Sequence, residues 1–282
     1  PFLVLSDYLT RQGIAVLRYD DRGFKESTGD FSKATTADFA KDVLSAVHYL
    51  KSRNDIDVKH IGLIGHSEGG IIAPMVANQT SDISFIVTLA ATGILGSEVA
   101  VMQSKSLRSF PVQDEVSFEQ NVRESIKIAS SNDDISKKRK VLTAHNTGYL
   151  KPILKSLGAP DENISAFIEK ETESVLKPWN TYFFNYNPAD EFEKLSIPML
   201  SLNGSKDTQV NATINQNAIR NALKKGENKN YKVIELENMN HLFQECKTGN
   251  INEYKEIEQT ISPIALKEIS NWINEVTSIN KK

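Results

Sequence analysis

Cysteine is nearly absent: Cys246 is the only one in 282 residues. No internal disulfide can form, and the chain carries no sign of an oxidising compartment. No Cys/His/Asn pattern surrounds Cys246 to activate a thiol, so the expectation is a small buried hydrophobe rather than a nucleophile. Long apolar runs are missing too; none approaches the ~18 residues needed to cross a bilayer. No signal peptide is visible, but the sequence opens on Pro1, so it does not choose between a cytoplasmic and an exported protein. Charge of one sign is not in surplus. Thirty-three Lys and Arg face 36 Asp and Glu, for a net charge of -3 and a pI near 6.0, which argues against nucleic acid as a partner. The densest basic stretch, Lys137-Lys138-Arg139-Lys140, follows Asp133-Asp134 and reads as a solvated helix face. No H-E-x-x-H or Cys/His cluster points to a metal and no G-x-G-x-x-G to a dinucleotide, so no cofactor is expected. Internal repeats and low-complexity tracts are also lacking.

What is present is a chain long enough, and at 39% hydrophobic apolar enough, to bury a full core. Its most informative stretch runs from His60 to Ala77. Ile61, Leu63 and Ile64 form a short apolar run suited to a strand buried on both faces, and a helical pattern follows at once. Between them lies Gly65-His66-Ser67-Glu68-Gly69, a G-x-S-x-G match. The pattern describes a sharp strand-to-helix turn that holds a serine in a strained conformation, with flanking glycines giving the two elements room to approach. Ser67 is the candidate nucleophile; the alternative is a serine in an ordinary turn.

The rest of the chain alternates in a way that supports an α/β class. Leu5, Tyr8 and Leu9 have helical spacing, with Gly13 placed to cap. Ile14 to Tyr19 reads as a buried strand ending in the polar loop Asp20 to Gly29, where Asp20, Asp21 and Arg22 either serve a site or tie the loop down. Thr36 to Arg53 is an amphipathic helix containing His48, and Ile83 to Ala91 a further buried strand. From about Gly96 to Pro188 no strong strand pattern occurs. Helical stretches there are punctuated by Pro111, Gly148, Pro152, Gly158-Ala159-Pro160 and Pro178, which predicts a helical insertion. It closes on the aromatic cluster Trp179 to Tyr186, read either as core or as a pocket roof, with Trp179, Phe183 and Tyr186 as pocket candidates beside His66. Strands then resume at Ile197 to Leu202 and Tyr231 to Glu237, with helices at Asn211 to Lys225 and Ser262 to Val276. Strand, helix, strand predicts a mostly parallel sheet flanked by helices. The expected organisation is 1–95 and 189–282 as one α/β core, and 96–188 as the insertion.

A serine hydroxyl needs a base, usually an imidazole, and the imidazole a carboxylate to fix its tautomer. Asp207 lies just past one strand end and His241 just past the next, both after Ser67. Other candidates fit less well. Asp190 comes too early, Glu235 and Glu237 fall inside a strand, His145 sits in the insertion without a matching acid, and His60 and His66 flank the elbow strand. Asp207 as a turn former and His241 as an exposed loop residue are the bland alternatives.

Taken together, R-Y-D-D-R-G-F-K-E-S-T-G, G-H-S-E-G-G, L-N-G-S-K-D-T-Q-V, N-H-L-F-Q and T-I-S-P make the chain resemble a bacterial α/β-hydrolase of the serine carboxylesterase and aminopeptidase-like group, with an α/β-hydrolase fold and a helical cap insertion. The resemblance implies Ser67 as nucleophile, Asp207 as acid, His241 as base, and the backbone N–H of Glu68 as one oxyanion-hole donor. It also implies an eight-stranded sheet of which only the fourth to eighth strands can be placed. The family's third strand lies between its fourth and fifth. The expectation is that the first three strands lie outside this sequence or that another molecule supplies the missing one, so that Ile14 to Tyr19 should not pair directly with Ile61 to Gly65.

The implied activity is hydrolysis of a small carboxylic ester, with a short acyl group, through an acyl-enzyme on Ser67. An aminopeptidase or amide hydrolase on the same three residues is an alternative, and would need acidic groups such as Glu68, Asp20 or Asp21 to hold a substrate ammonium. A binding protein on a hydrolase scaffold, lacking the first oxyanion loop, is the third reading. Neither the natural substrate nor the oligomeric state is written in the sequence.

Overall fold

The structure, a computed structural model, describes residues 1–279. Its elements, in chain order, are α1 (Phe2–Arg11), α2 (Thr36–Lys51), β1 (Gly62–His66), α3 (Glu68–Ala77), β2 (Phe85–Leu89), α4 (Gly96–Leu107), α5 (Glu115–Ala129), α6 (Ile135–Ser156), α7 (Asp161–Val175), α8 (Pro178–Asn185), α9 (Ala189–Lys194), β3 (Met199–Gly204), α10 (Ala212–Lys225), β4 (Tyr231–Leu236) and α11 (Pro263–Ile279). Among the described residues, no helix is long and apolar enough to cross a membrane. The chain divides into two compact units. One holds residues 1–29, 37–94 and 187–282, the other residues 30–36 and 95–186.

The first unit is built on a parallel four-stranded sheet in the order β1-β2-β3-β4. Leu63 lies opposite Ile86, Val87 opposite Leu200, and Leu202 opposite Ile234. All five residues of β2 and all six of β3 are buried, as expected for strands covered by helices on both faces. Alternation along these strands divides the core. Phe85, Val87 and Leu89 join Leu200 and Leu202 on one face, against Leu5 and Leu9 of α1 and Ile269, Trp272 and Ile273 of α11. Ile86 and Met199 point the other way, to Val47 of α2, Ala73 of α3, Phe192 of α9 and Ile219 and Leu223 of α10. Because the strands run parallel, all four carboxyl ends share one rim, where loops after a sheet gather ligands.

One strand expectation fails. Residues Ile14 to Tyr19 form no strand, and Val16, Leu17 and Tyr19 are exposed. They do not pair with β1, whose only partner among the described residues is β2. Apolar residues with strand propensity become a strand only where a neighbouring backbone edge satisfies their N–H and C=O groups, and here none is alongside.

The second unit is helical, from α4 to α8 with the short 3-10 turn Phe31–Lys33. Asp114 caps α5 by accepting from the N–H groups of Val116 and Ser117, and Asp134 caps α6 through Lys137. Leu150, Ile164 and Ile168 form a small core joined by Phe110, Tyr149 and Phe167. Gly148 and Pro152, expected as breakers, lie inside the 22-residue helix α6. An interior proline costs a helix about 3 kcal/mol, and the buried stripe Leu142, Asn146 and Leu150 holds the helix together across both positions.

Candidate active site

Ser67 stands between β1 and α3 with φ 54° and ψ -112°. A non-glycine residue held at positive φ costs about 1–3 kcal/mol and persists only where its surroundings impose it. Here the surroundings are explicit. The Ser67 N–H donates to the Leu89 carbonyl at 2.8 Å, extending the β1–β2 ladder by one residue, and its own carbonyl accepts from Gly70 N–H at 2.9 Å as α3 begins. A Cβ on Gly65 would lie 1.9 Å from the Gly69 carbonyl oxygen, and one on Gly70 would lie 2.6 Å from the Ala91 Cβ. A Cβ on Gly69 would meet nothing. The close approach of strand and helix therefore rests on Gly65 and Gly70, not on both glycines of the motif. Ser67 is partly exposed, and Glu68 opens α3 at the positive end of the helix dipole.

Asp207 and His241 meet across the loops that leave β3 and β4. His241 Nδ1 lies 2.7 Å from Asp207 Oδ2, and both residues are buried. The other carboxylate oxygen accepts the N–H groups of Gln209 and Val210, each at 2.8 Å. An ionised carboxylate only accepts, so Nδ1 carries the proton and Nε2 is left with the lone pair a general base requires. The two loops are laced together. Lys206 N–H donates to the Met239 carbonyl at 2.9 Å, and Asn238 N–H to Ser205 Oγ at 2.8 Å. Gly204 makes this possible, since a Cβ there would lie 2.2 Å from the Met239 oxygen. Asn240 shapes the histidine turn, its Oδ1 accepting from Leu242 and Gln244 N–H at 2.9 and 3.0 Å.

His66 connects this pair to the elbow. Its Nε2 lies 2.8 Å from the His241 carbonyl oxygen, and its ring centroid 4.7 Å from that of His241. Burial foremost, and then its nearness to His241, pulls its pKa down to about 4. It is neutral near pH 7.

The rival residues are placed elsewhere. His60 pairs with the exposed Asp57 at 2.7 Å in the turn before β1, and His145 faces the Asn121 carbonyl at 3.1 Å inside the helical unit. Asp190 binds Asn187 at 2.8 Å, and Glu235 lies in β4. Cys246 is half-buried rather than fully buried, and burial raises its thiol pKa. Arg22 forks onto both oxygens of Asp42 at 2.7 Å and reaches the Asp38 carbonyl at 2.9 Å; Asp20 holds Lys25 at 3.1 Å. These bonds give the Asp20 to Gly29 loop a structural role. No group of three or more His, Cys, Asp or Glu among the described residues could hold a metal ion.

The aromatic pocket candidates belong to the helical unit. Trp179 stacks on Phe183 at 5.1 Å along α8, and Tyr182 of α8 stacks at 5.7 Å on Tyr186, which caps the helix, both pairs four residues apart, and Phe183 is buried. A cavity of about 320 Å³ in this unit is lined instead by Leu95, Val101, Arg123, Ile126 and Phe184, among others. Sequence reasoning also missed the support under the histidine loop. The Tyr254 hydroxyl accepts from Gln209 at 3.1 Å, and the Glu253 carboxylate gathers N–H groups of Lys247, Thr248 and Gly249 with the Thr248 hydroxyl. Those bonds, the Thr248 hydroxyl foremost, pull the Glu253 pKa down to about 2. No periodicity marks such contacts in advance.

Residues 5–241 match the model of a family described as X-Pro dipeptidyl-peptidase (S15 family). Esterase EstD of Thermotoga maritima is 26% identical over 267 residues, covering 94% of this chain. This chain spans only 54% of EstD. An esterase of Pyrococcus furiosus superposes with a TM-score of 0.57 at 15% identity, over 95% of this chain and 73% of that one. A monoacylglycerol lipase of Paleococcus ferrophilus gives 0.53 at 17%, over 97% and 88%. At such identities the superpositions speak for the fold, which is that of the α/β-hydrolases. The family match is independent of them and covers most of the chain, from Leu5 through the elbow to His241. This chain belongs to the family described as X-Pro dipeptidyl-peptidase (S15 family).

Proposed function

We propose that the chain carries the catalytic centre of a serine hydrolase that cleaves carboxylic esters with short acyl groups. Ser67 Oγ attacks the acyl carbonyl while His241 Nε2 takes its proton, and Asp207 stabilises the resulting imidazolium. The tetrahedral oxyanion receives the Glu68 backbone N–H as one donor. Collapse breaks the bond to the alcohol oxygen, which leaves with the proton from His241. Water, deprotonated by His241, then attacks the acyl-enzyme and releases the acid and Ser67.

The observation that carries this reading is the buried Asp207–His241 pair at 2.7 Å, on the same sheet rim as a serine held at φ 54°. Similarity to EstD supports the choice of an ester. The test is burst release from an activated short-chain ester by the full-length protein, before and after Ser67→Ala. A burst that disappears in the variant is expected; undiminished turnover would end the proposal.

The family description favours a second reading, amide cleavage by the same three residues. Such an enzyme needs a carboxylate for the substrate ammonium, with Asp20, Asp21 and Glu68 as the candidates. Rates on an acyl ester and on an X-Pro anilide separate the two, the ester being the faster substrate if the first reading holds.

A further inference from the structure

We propose that His66 is a positioning residue for the general base, holding the backbone carbonyl and the ring of His241 in place against the elbow. The inference rests on the serine-hydrolase reading above and deepens it. Asp207 holds the His241 ring at one atom, Nδ1, and a ring anchored at one atom can still swing about that bond. Its loop also leaves the sheet: Asn238 and Phe243, on either side of His241, both lie at positive φ (58° and 61°). A second restraint is supplied by His66. A carbonyl oxygen only accepts, so His66 Nε2–H donates to the His241 carbonyl across 2.8 Å. The same imidazole lies 4.7 Å from the His241 ring at an interplanar angle of 58°.

His66 is itself fixed. Phe2 meets its ring edge-on at 5.7 Å and Phe243 at 6.4 Å, in a narrow pocket completed by Leu5, Leu89, Leu242 and Ile261. This apolar lining keeps the imidazole neutral, so no second cation stands beside the imidazolium that forms on His241 during acyl transfer. Because His66 is the residue before Ser67, one side chain ties the backbone of the nucleophile's turn to that of the base, 175 positions away. A displacement of about 1 Å at a reacting group costs up to ~100-fold in rate, and this link opposes such a displacement.

The test compares His66→Phe, which keeps the aromatic packing and loses the donor, with His66→Gln, whose amide can reach the same carbonyl. Steady-state kinetics on an activated short-chain ester should show kcat lowered roughly 10- to 100-fold in His66→Phe with KM little changed, and most of kcat recovered in His66→Gln. In parallel, proton NMR of the His241 Nδ1 proton, recorded in the Ser67→Ala background, should show that signal broadened by His66→Phe and sharp with His66→Gln. Wild-type kcat in His66→Phe, a loss confined to KM, or equal impairment of both variants would overturn the role. If His66→Phe does not fold, His66→Leu takes its place under the same criteria. Turnover surviving in Ser67→Ala would overturn the hydrolase reading itself, whereas an inactive Ser67→Ala beside a fully active His66→Phe would overturn only the part given to His66.

Discussion

The rim of the sheet and the helical unit differ most in their backbones. Every non-glycine residue at positive φ among the described residues belongs to the α/β unit: Lys25, Ser67, Ala90, Glu227, Asn238 and Phe243. Four of these follow β1, β2 or β4 on the rim. In the helical unit the one positive φ is that of Gly158, where glycine bears no penalty. Strained conformations survive where surrounding bonds over-determine them, and they gather at functional sites. The rim carries Ser67, Asp207 and His241 on separate loops and joins the last two by a buried hydrogen bond; helices α4 to α8 meet packing demands that regular backbone satisfies. Glycine does not follow this division: Gly65 and Gly204 at the rim and Gly96 in the helical unit are each forced by an oxygen about 2 Å from where a Cβ would be, while Gly69 and Gly148 face open space.

The sharpest way to break this comparison is at the rim's chemistry. Asp207→Asn should lower kcat by roughly 10⁴-fold, because an amide no longer holds His241 in the tautomer a base needs. Steady-state ester hydrolysis measures it, and a loss under tenfold would deny the buried pair its assigned role. Next in size is Gly65→Ala, which sets a methyl against the Gly69 backbone and should cost about 3 kcal/mol or more by urea denaturation. A smaller effect concerns acidity. His66 has a folded pKa near 4 against about 6.5 unfolded, so the unfolded chain binds the extra proton between those values. The stability contributed by its neutral ring, packed beside His241 and Asp207, is complete above pH 6.5 and falls as pH drops toward 4. His66→Leu should flatten that part of a melting-temperature profile. Least of all, Gly148→Ala in α6 should stabilise by about 0.5–1 kcal/mol; a destabilisation there equal to that of Gly65→Ala would erase the distinction between the two glycines.

Much of this architecture was legible from spacing. Short apolar runs located β1 to β4 within two residues at their ends, the G-x-S-x-G pattern located the turn at Ser67, and strand ends just before Asp207 and His241 told where that pair would meet. Failures came where an outcome hung on a partner. Ile14 to Tyr19 has strand composition but no adjacent edge. Pro152 is a breaker by local chemistry, yet it sits in a helix held by buried neighbours. Cys246 reads as a buried hydrophobe and is half-exposed. His66 gave no sign that it would bind a carbonyl 175 residues away.

By itself, the sequence determined the class of the fold and the place of the strand-to-helix turn at Ser67, since hydrophobic period and residue chemistry are local properties of the chain. Only the tertiary structure decided which histidine faces which carboxylate, which glycines are irreplaceable and which apolar run stays unpaired. Those outcomes depend on distances between segments far apart along the chain, and such distances are set by packing the whole sheet and its helices together.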